Sequence, residues 1–324
     1  MDAQAGLLVA ARWKWWEYLL WVLAFISPLL VPSHALLISE IAIVALFAIS
    51  LDLILGYTGI VSLGHAAFFG MGAYAAALFA KLVMPDPLVG LVFAAGLATF
   101  LGAICSLSIM RGTDLTRLMV TLGVALILLE LANKLDWLTG GADGLQGVVM
   151  GPVLGMFEFD LTGRTAAYYA LVVCLAFFVL LRRVVASPYG ATLKAIRDNR
   201  LRATAIGIHV TRKLATIYTL AAGVAGVAGA LLAQTTGFAS LDVFALDRSA
   251  DLLLMLVIGG TGWLWGGIAG AIVFKILHSI ISAITPQYWT FWIGLFLVIL
   301  VLVGREKLLR PWTWFMRPGK GDST

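Results

Sequence analysis

In 324 residues 61% are hydrophobic and 12% charged, with a mean hydropathy of +1.00, which leaves too little polar surface to cover a water-soluble domain. Lipid is therefore the expected solvent, and an all-α polytopic membrane protein the expected fold class. The net charge of +5 needs no nucleic-acid partner, because anionic membrane lipids suffice to hold a basic face.

In chain order, Arg12 and Lys14 ahead of an apolar run imitate a signal peptide, yet no small-residue cleavage site follows. Trp13, Trp15 and Trp16 instead mark the interfacial entry of an uncleaved first span. Apolar runs of about 20 residues, each able to cross a hydrocarbon core of ~30 Å, recur along the chain. They predict spans at 16–33, 36–56, 62–83, 88–110, 116–135, 165–182, 213–236, 248–260, 264–283 and 287–304, which makes about 10 transmembrane or half-membrane helices. Residues 1–15 are then a cytoplasmic N-terminal segment, 16–304 the transmembrane domain and 305–324 a basic cytoplasmic tail. Residues 136–164 form an external loop and 184–212 a cytoplasmic one.

An even number of spans puts both termini on one side. Arg12, Lys14, Arg111, Arg117, Arg182, Arg183, Lys194, Arg197, Arg200, Arg202, Arg212 and Lys213 fall on that side, as do the tail cations Arg305, Lys307, Arg310, Arg317 and Lys320. Lys81, Lys134, Arg164 and Arg248 fall on the other. The positive-inside bias makes the side of the termini cytoplasmic.

Two helices read as broken, near 56–62 and 259–264. Gly56-Tyr57-Thr58-Gly59 ends the second span, and Gly259-Gly260-Thr261-Gly262 leaves the eighth too short to cross a bilayer untilted. Backbone freed by a break is tolerated only inside protein or against a water-filled cavity, so both breaks belong to the bundle interior. Asp52 and Asp251 lie upstream of the two breaks, and each break carries a Thr-Gly pair, as in a weak parallel repeat. Asp52 is placed to cap or support the Gly56 break. Gly223, Gly226 and Gly229 on the seventh span, and Gly262, Gly266 and Gly270 around the ninth, offer small faces for close helix approach.

Ionisable groups inside a membrane are costly and often functional, which singles out Asp52, His65, Glu130, Asp251, Lys275 and His278. For Lys275 an ion pair with Asp251, a contact to a substrate carboxylate and snorkelling stay open. His65 reads as a hydrogen-bonding residue with the path as its sharper alternative. Cys105 and Cys174 sit in apolar runs and read as packing. There is no Gly-x-x-x-x-Gly-Lys-Ser/Thr phosphate loop, no His-Glu-x-x-His and no Gly-x-Ser-x-Gly, so no catalysis, metal or cofactor is expected of this chain. In the external loop, Gly140, Gly141, Asp143 and Gly144 form a turn whose amides could also present an anion nest.

In the cytoplasmic loop Ser187 before Pro188 predicts a helix start and Gly207 a stop, with one helix between them. Leu193, Ile196, Ala203 and Ile206 share an apolar flank and Lys194, Arg197 and Arg202 occupy others, which gives a short amphipathic element. It serves either as an interfacial anchor or as a coupling helix for a cytosolic ATPase.

The block from Ser187 through Gly190, Ala195-Ile196-Arg197-Asp198-Asn199 and Ala203 to Gly207 resembles the cytoplasmic loop of bacterial ABC permeases of the branched-chain amino acid class. Three further blocks match in the same order. They are Leu51 to Gly59 running into Ser62 to Tyr74, then Thr139 to Leu145, then Gly259 to Gly266. The external glycine block is similar to that of the larger M-type permease rather than its H-type partner. Arg200 and Arg202 depart from the acidic residue the family often carries there, and Trp263 replaces a small or polar residue.

The resemblance implies a permease subunit in a bacterial inner membrane, with a second H-type permease, two ABC ATPase subunits and a periplasmic solute-binding protein as partners. It implies ATPase coupling through Ser187, Gly190, Ala195, Ile196, Arg197, Asn199, Ala203 and Gly207. It implies a path or gate among Asp52, Gly56, Thr58, Gly59, His65, Gly259, Gly260, Thr261, Gly262, Asp251 and Lys275. Branched-chain amino acids are the expected solute class, with urea, amides and aromatic acids as neighbours. A stand-alone ion-coupled secondary transporter is the competing expectation.

Overall fold

The computed structural model describes residues 13–296 and 298, apart from 111, 113, 161, 289 and 290. Arg12, Arg111, the tail from 305 onward and much of the tenth expected span lie outside the described residues. The regular structure of the described residues is helical, with no strand beyond two isolated bridges. It divides into two compact units, one through Ala271 and one from Ile272.

The long helices are α1 (Trp15–Leu30), α2 (Ala35–Thr58), α3 (Ala66–Leu82), α4 (Pro87–Ile109), α5 (Asp114–Lys134) and α6 (Arg164–Val185). After them come two short helices, α7 (Pro188–Asp198) and α8 (Arg200–Ala205), and then α9 (Val210–Thr236), α10 (Leu246–Gly259) and α11 (Leu264–Ile284). Among the described residues six helices are long and apolar enough to cross a membrane. They correspond to the expected second, fourth, fifth, sixth, seventh and ninth spans, so the all-α polytopic class stands.

Local chemistry sets the ends. Asp86 caps α4 by accepting from the Leu88 and Val89 amides at 2.9 and 3.1 Å, with Pro87 in the first turn. Gly59 closes α2 in a left-handed conformation (φ +73°), its amide donating to Leu55 at 3.0 Å while the Ile60 amide donates to Ile54 at 3.3 Å. The third helix starts at Ala66 rather than at 62. Residues 59–65 form an irregular connection, held where Gly64 presses on the Thr121 backbone.

In the first unit α9 is the central helix, packed against α2, α3 and α4. Its glycines make that possible: a Cβ at Gly229 would overlap the Phe69 carbonyl, and one at Gly72 would overlap the Gly226 carbonyl. Leucine at Gly229 is therefore expected to prevent assembly, since overpacking costs ~1–3 kcal/mol even where neighbours can yield, and a carbonyl cannot. Thermal stability of the detergent-purified chain measures this. Outward faces are apolar, as lipid requires: Val92, Phe100 and Leu107 stand on α4 with 65–69% exposure.

In the second unit Leu277, Ile281, Ile284, Thr285, Trp292, Leu295 and Phe296 line an apolar pocket. The Phe274 and His278 rings lie 6.4 Å apart.

Candidate functional site

The two breaks, far apart in sequence, meet. Gly56 lies against Gly262 so closely that a Cβ at 56 would overlap both the Gly262 amide and Asp52 Oδ1. Asp52, buried on α2, does not cap its own break; its Oδ1 accepts from the Gly262 amide at 2.7 Å and so joins the first break to the second. Gly260 (φ +95°) and Gly262 (φ +79°) carry the left-handed backbone that turns α10 into α11. Thr58 is buried with its hydroxyl donating to Ile54 at 2.6 Å, whereas Thr261 is exposed. Gly259 packs against the backbone of Gly266 and Gly270.

The segment from Ser187 to Gly207 sits on this junction. The last carbonyls of α2 lack partners within the helix, and Arg197 Nη1 of α7 donates to one of them, that of Gly56. The same guanidinium is 3.1 Å from where a Cβ would stand on Gly262, and its charge acts on Asp52. Lys194 lies over the Tyr57 ring at 5.4 Å. One cation of α7 thus binds one break and lies beside the other.

The expected single helix from Ser187 to Gly207 is corrected to two. Asn199 adopts an extended backbone (φ −159°), and its side chain accepts from the Arg202 amide at 2.9 Å, which ends α7 and caps α8 in one residue. Ser187 holds the N-cap position of α7 without capping it; its hydroxyl donates back to Val184 at 2.6 Å. Leu193, Ile196 and Ala203 are buried against the protein, while Ala195, Leu201 and Ile206 are exposed. Gly190 fits against the Val185 carbonyl, and Gly207 takes φ +88° after α8. Tyr189 ties α7 to the start of α9, its hydroxyl donating to Lys213 at 2.7 Å. Burial pushes that phenol up to about 12, so it stays a donor at neutral pH.

His65 is fully buried at the start of α3, with Nε2 2.8 Å from Ser50 Oγ and its ring stacked on Phe47. Because the Ser50 hydroxyl donates to Phe47 O at 2.6 Å, Nε2 carries the proton in that pair. The next residue, Ala66, donates its amide to Ser249 of α10 at 3.0 Å, so the irregular connection is pinned on two sides. Asp251 lies on α10 in the first unit and Lys275 on α11 in the second. Glu130 ends up half-exposed, paired with Lys134 at 3.5 Å.

In the loop between α5 and α6, Gly140, Gly141 and Gly144 all have positive φ around Asp143. The amides of Gly140, Gly144 and Leu145 donate to Asp136, Gly141 and Ala239 at 2.9, 3.1 and 2.8 Å, the pattern of a closed turn rather than an open nest. The bridge from Leu145 to Ala239 fastens the loop to the segment after α9.

A further group was not singled out from the sequence. Glu17 on α1 is buried, pairs with Arg182 at 2.7 Å and accepts from the Trp265 indole at 3.0 Å. The legible signal is a lone acid within an otherwise apolar, aromatic first span. Trp16, expected as an interfacial anchor, packs on Trp263 and Trp265 at 6.4 and 5.3 Å.

A profile of the family described as branched-chain amino acid transport system, permease component, matches residues 34–303. The high-affinity branched-chain amino acid transport system permease protein LivM of Salmonella typhimurium is 26% identical over 320 residues, covering 90% of this chain and 73% of the relative. LivM of Escherichia coli is 26% identical over 321 residues with the same coverage. The corresponding LivH of Escherichia coli is 25% identical over 279 residues, 80% of this chain and 88% of the relative. No solved structure matches the chain.

Proposed function

The chain belongs to the branched-chain amino acid transport system permease family, and we propose that it is the M-type permease subunit of an ABC importer, forming with an H-type permease the path for branched-chain amino acids or a similar small solute. Two cytosolic ABC ATPases dock on residues 187–207 and supply the energy, and a periplasmic solute-binding protein delivers solute near the external loop. The subunit lies in a bacterial inner membrane with both termini cytoplasmic.

The observation that carries this reading is the Arg197 contact. A basic helix outside the spans reaches the Gly56 carbonyl at one break, while Asp52 of the same junction holds the Gly262 amide at the other. A push on α7 is therefore delivered to both breaks at once. An ion-coupled secondary transporter has no use for such a connection.

Purification of the chain from its native operon in mild detergent tests the reading. Two ATPases and a second permease are expected to stay bound, and uptake after reconstitution to require all of them. Recovery of the chain alone, with ion-driven uptake, would overturn it.

A further inference from the structure

Glu17 is a buried carboxylate that neither the breaks nor the docking segment accounts for. It is 4% exposed in the first turn of α1, and both its oxygens are taken. Oε2 accepts from the Lys14 amide at 2.9 Å and from Arg182 Nη1 at 2.7 Å. Oε1 accepts from the Trp265 indole N–H at 3.0 Å. Aromatic rings wall the group in: Arg182 lies 4.7 Å from the Trp13 ring, and Trp16, Trp21 and Phe178 pack on Trp265 at 5.3, 6.0 and 4.9 Å.

The places of the two donors give the carboxylate its meaning. Arg182 is in the last turn of α6, just before the chain enters the segment that begins at Ser187. Trp265 is in the first turn of α11, just past the second break. A buried ion pair is often no more stabilising than apolar side chains of the same size, so stability alone does not account for this one. We propose that Glu17 is a positioning residue that ties the root of the docking segment to the far side of the second break. Motion at the cytoplasmic end of α6 then reaches the start of α11 by a route independent of Arg197. On this view α1 is part of the transmission and more than a membrane anchor. Trp263 and Trp265 have partners because α1 brings Trp16 and Trp21 to them.

The inference rests on the reading that ATPases dock on residues 187–207, and its test uses the whole importer, purified with its partners and reconstituted. Two quantities are read: assembly by size exclusion, and solute transported per ATP hydrolysed. Trp265→Phe keeps the aromatic volume and removes the indole donor. Glu17→Met combined with Arg182→Met replaces the pair by apolar chains of similar length, an exchange that buried sites commonly tolerate. Both variants are expected to assemble, with the transport-to-hydrolysis ratio reduced about 10-fold, the scale of one hydrogen bond to a charged group. A brace that only supports folding would leave that ratio unchanged in whatever assembles. A wild-type ratio in Trp265→Phe, or failure of that variant to assemble, overturns the proposal. If the double variant does not assemble, Trp265→Phe decides alone. A wild-type chain that retains no ATPase sinks the docking reading instead, and this is seen before any variant is made.

Discussion

Alanine at position 56 is expected to cut uptake sharply while the chain still reaches the membrane. Helix propensity alone points the other way, since Gly→Ala inside a helix gains up to ~1 kcal/mol. Sterics decide: the added methyl would overlap the Gly262 amide and Asp52 Oδ1, one a backbone atom and the other a carboxylate already committed to that amide. The Gly262 backbone cannot swing aside, and the Asp52 carboxylate could do so only by giving up that amide, so the two breaks must separate. Forced insertion of a methyl costs ~1–3 kcal/mol, and each ~1.4 kcal/mol is tenfold in a population, so uptake should fall by about 5- to 150-fold. Gly96→Ala and Gly123→Ala are the controls, because a Cβ at either position meets nothing within 4 Å. Initial rates of labelled leucine uptake, normalised to the amount of chain in the membrane, make the comparison. Rates for Gly56→Ala within about twofold of the controls would mean that the closed junction is not needed for transport.

What could be read from the sequence follows the range of the interactions involved. Helices announce themselves through local apolar runs, so the ends of α2, α4, α9 and α11 fall within a few residues of expectation. The breaks are equally local, because Gly56-Tyr57-Thr58-Gly59 and Gly259-Gly260-Thr261-Gly262 carry their own backbone chemistry. That the breaks touch is a tertiary fact, and no period or spacing places Asp52 beside the Gly262 amide. Asp52 was expected to support the break four residues ahead of it, and the carboxylate reaches the other break instead. α3 starts later than the apolar run implies, because Val61, Ser62 and Leu63 continue that run whereas Gly64 is held by the Thr121 backbone from α5. The break at Asn199 is masked because Leu193, Ile196, Ala203 and Ile206 share an apolar flank across it. Its amide side chain competes successfully for the Arg202 N–H, a choice periodicity does not register. The burial of Glu17 is illegible for a related reason: nothing local marks it, and the partners Arg182 and Trp265 come from distant helices.

Removing the Arg197 side chain should uncouple the transporter rather than unfold it. Much of that side chain is exposed, and the segment carrying it is held independently by the burial of Leu193 and Ile196 and by Tyr189, so Arg197→Ala leaves α7 in place. What is lost is the donor to the Gly56 carbonyl and the positive charge at the C-terminal end of α2, where the helix dipole favours a cation. A hydrogen bond from a charged group is worth ~1.5–3 kcal/mol, so transport should fall roughly 10- to 100-fold while, on the proposed docking at residues 187–207, partner ATPases continue to hydrolyse ATP. Arg197→Lys restores the charge but not the planar fork, and an intermediate rate is expected. Asp52→Asn keeps an oxygen for the Gly262 amide and removes only the charge that Arg197 acts on, so it should be milder than Asp52→Ala. The decisive comparison combines Arg197→Ala with Asp52→Ala. If the two residues served separate helix ends, their effects on the transport-to-hydrolysis ratio would add. If they are two sides of one junction between Gly56 and Gly262, the second substitution removes little that the first has left, and the double variant should resemble the worse single one to within ~0.5 kcal/mol.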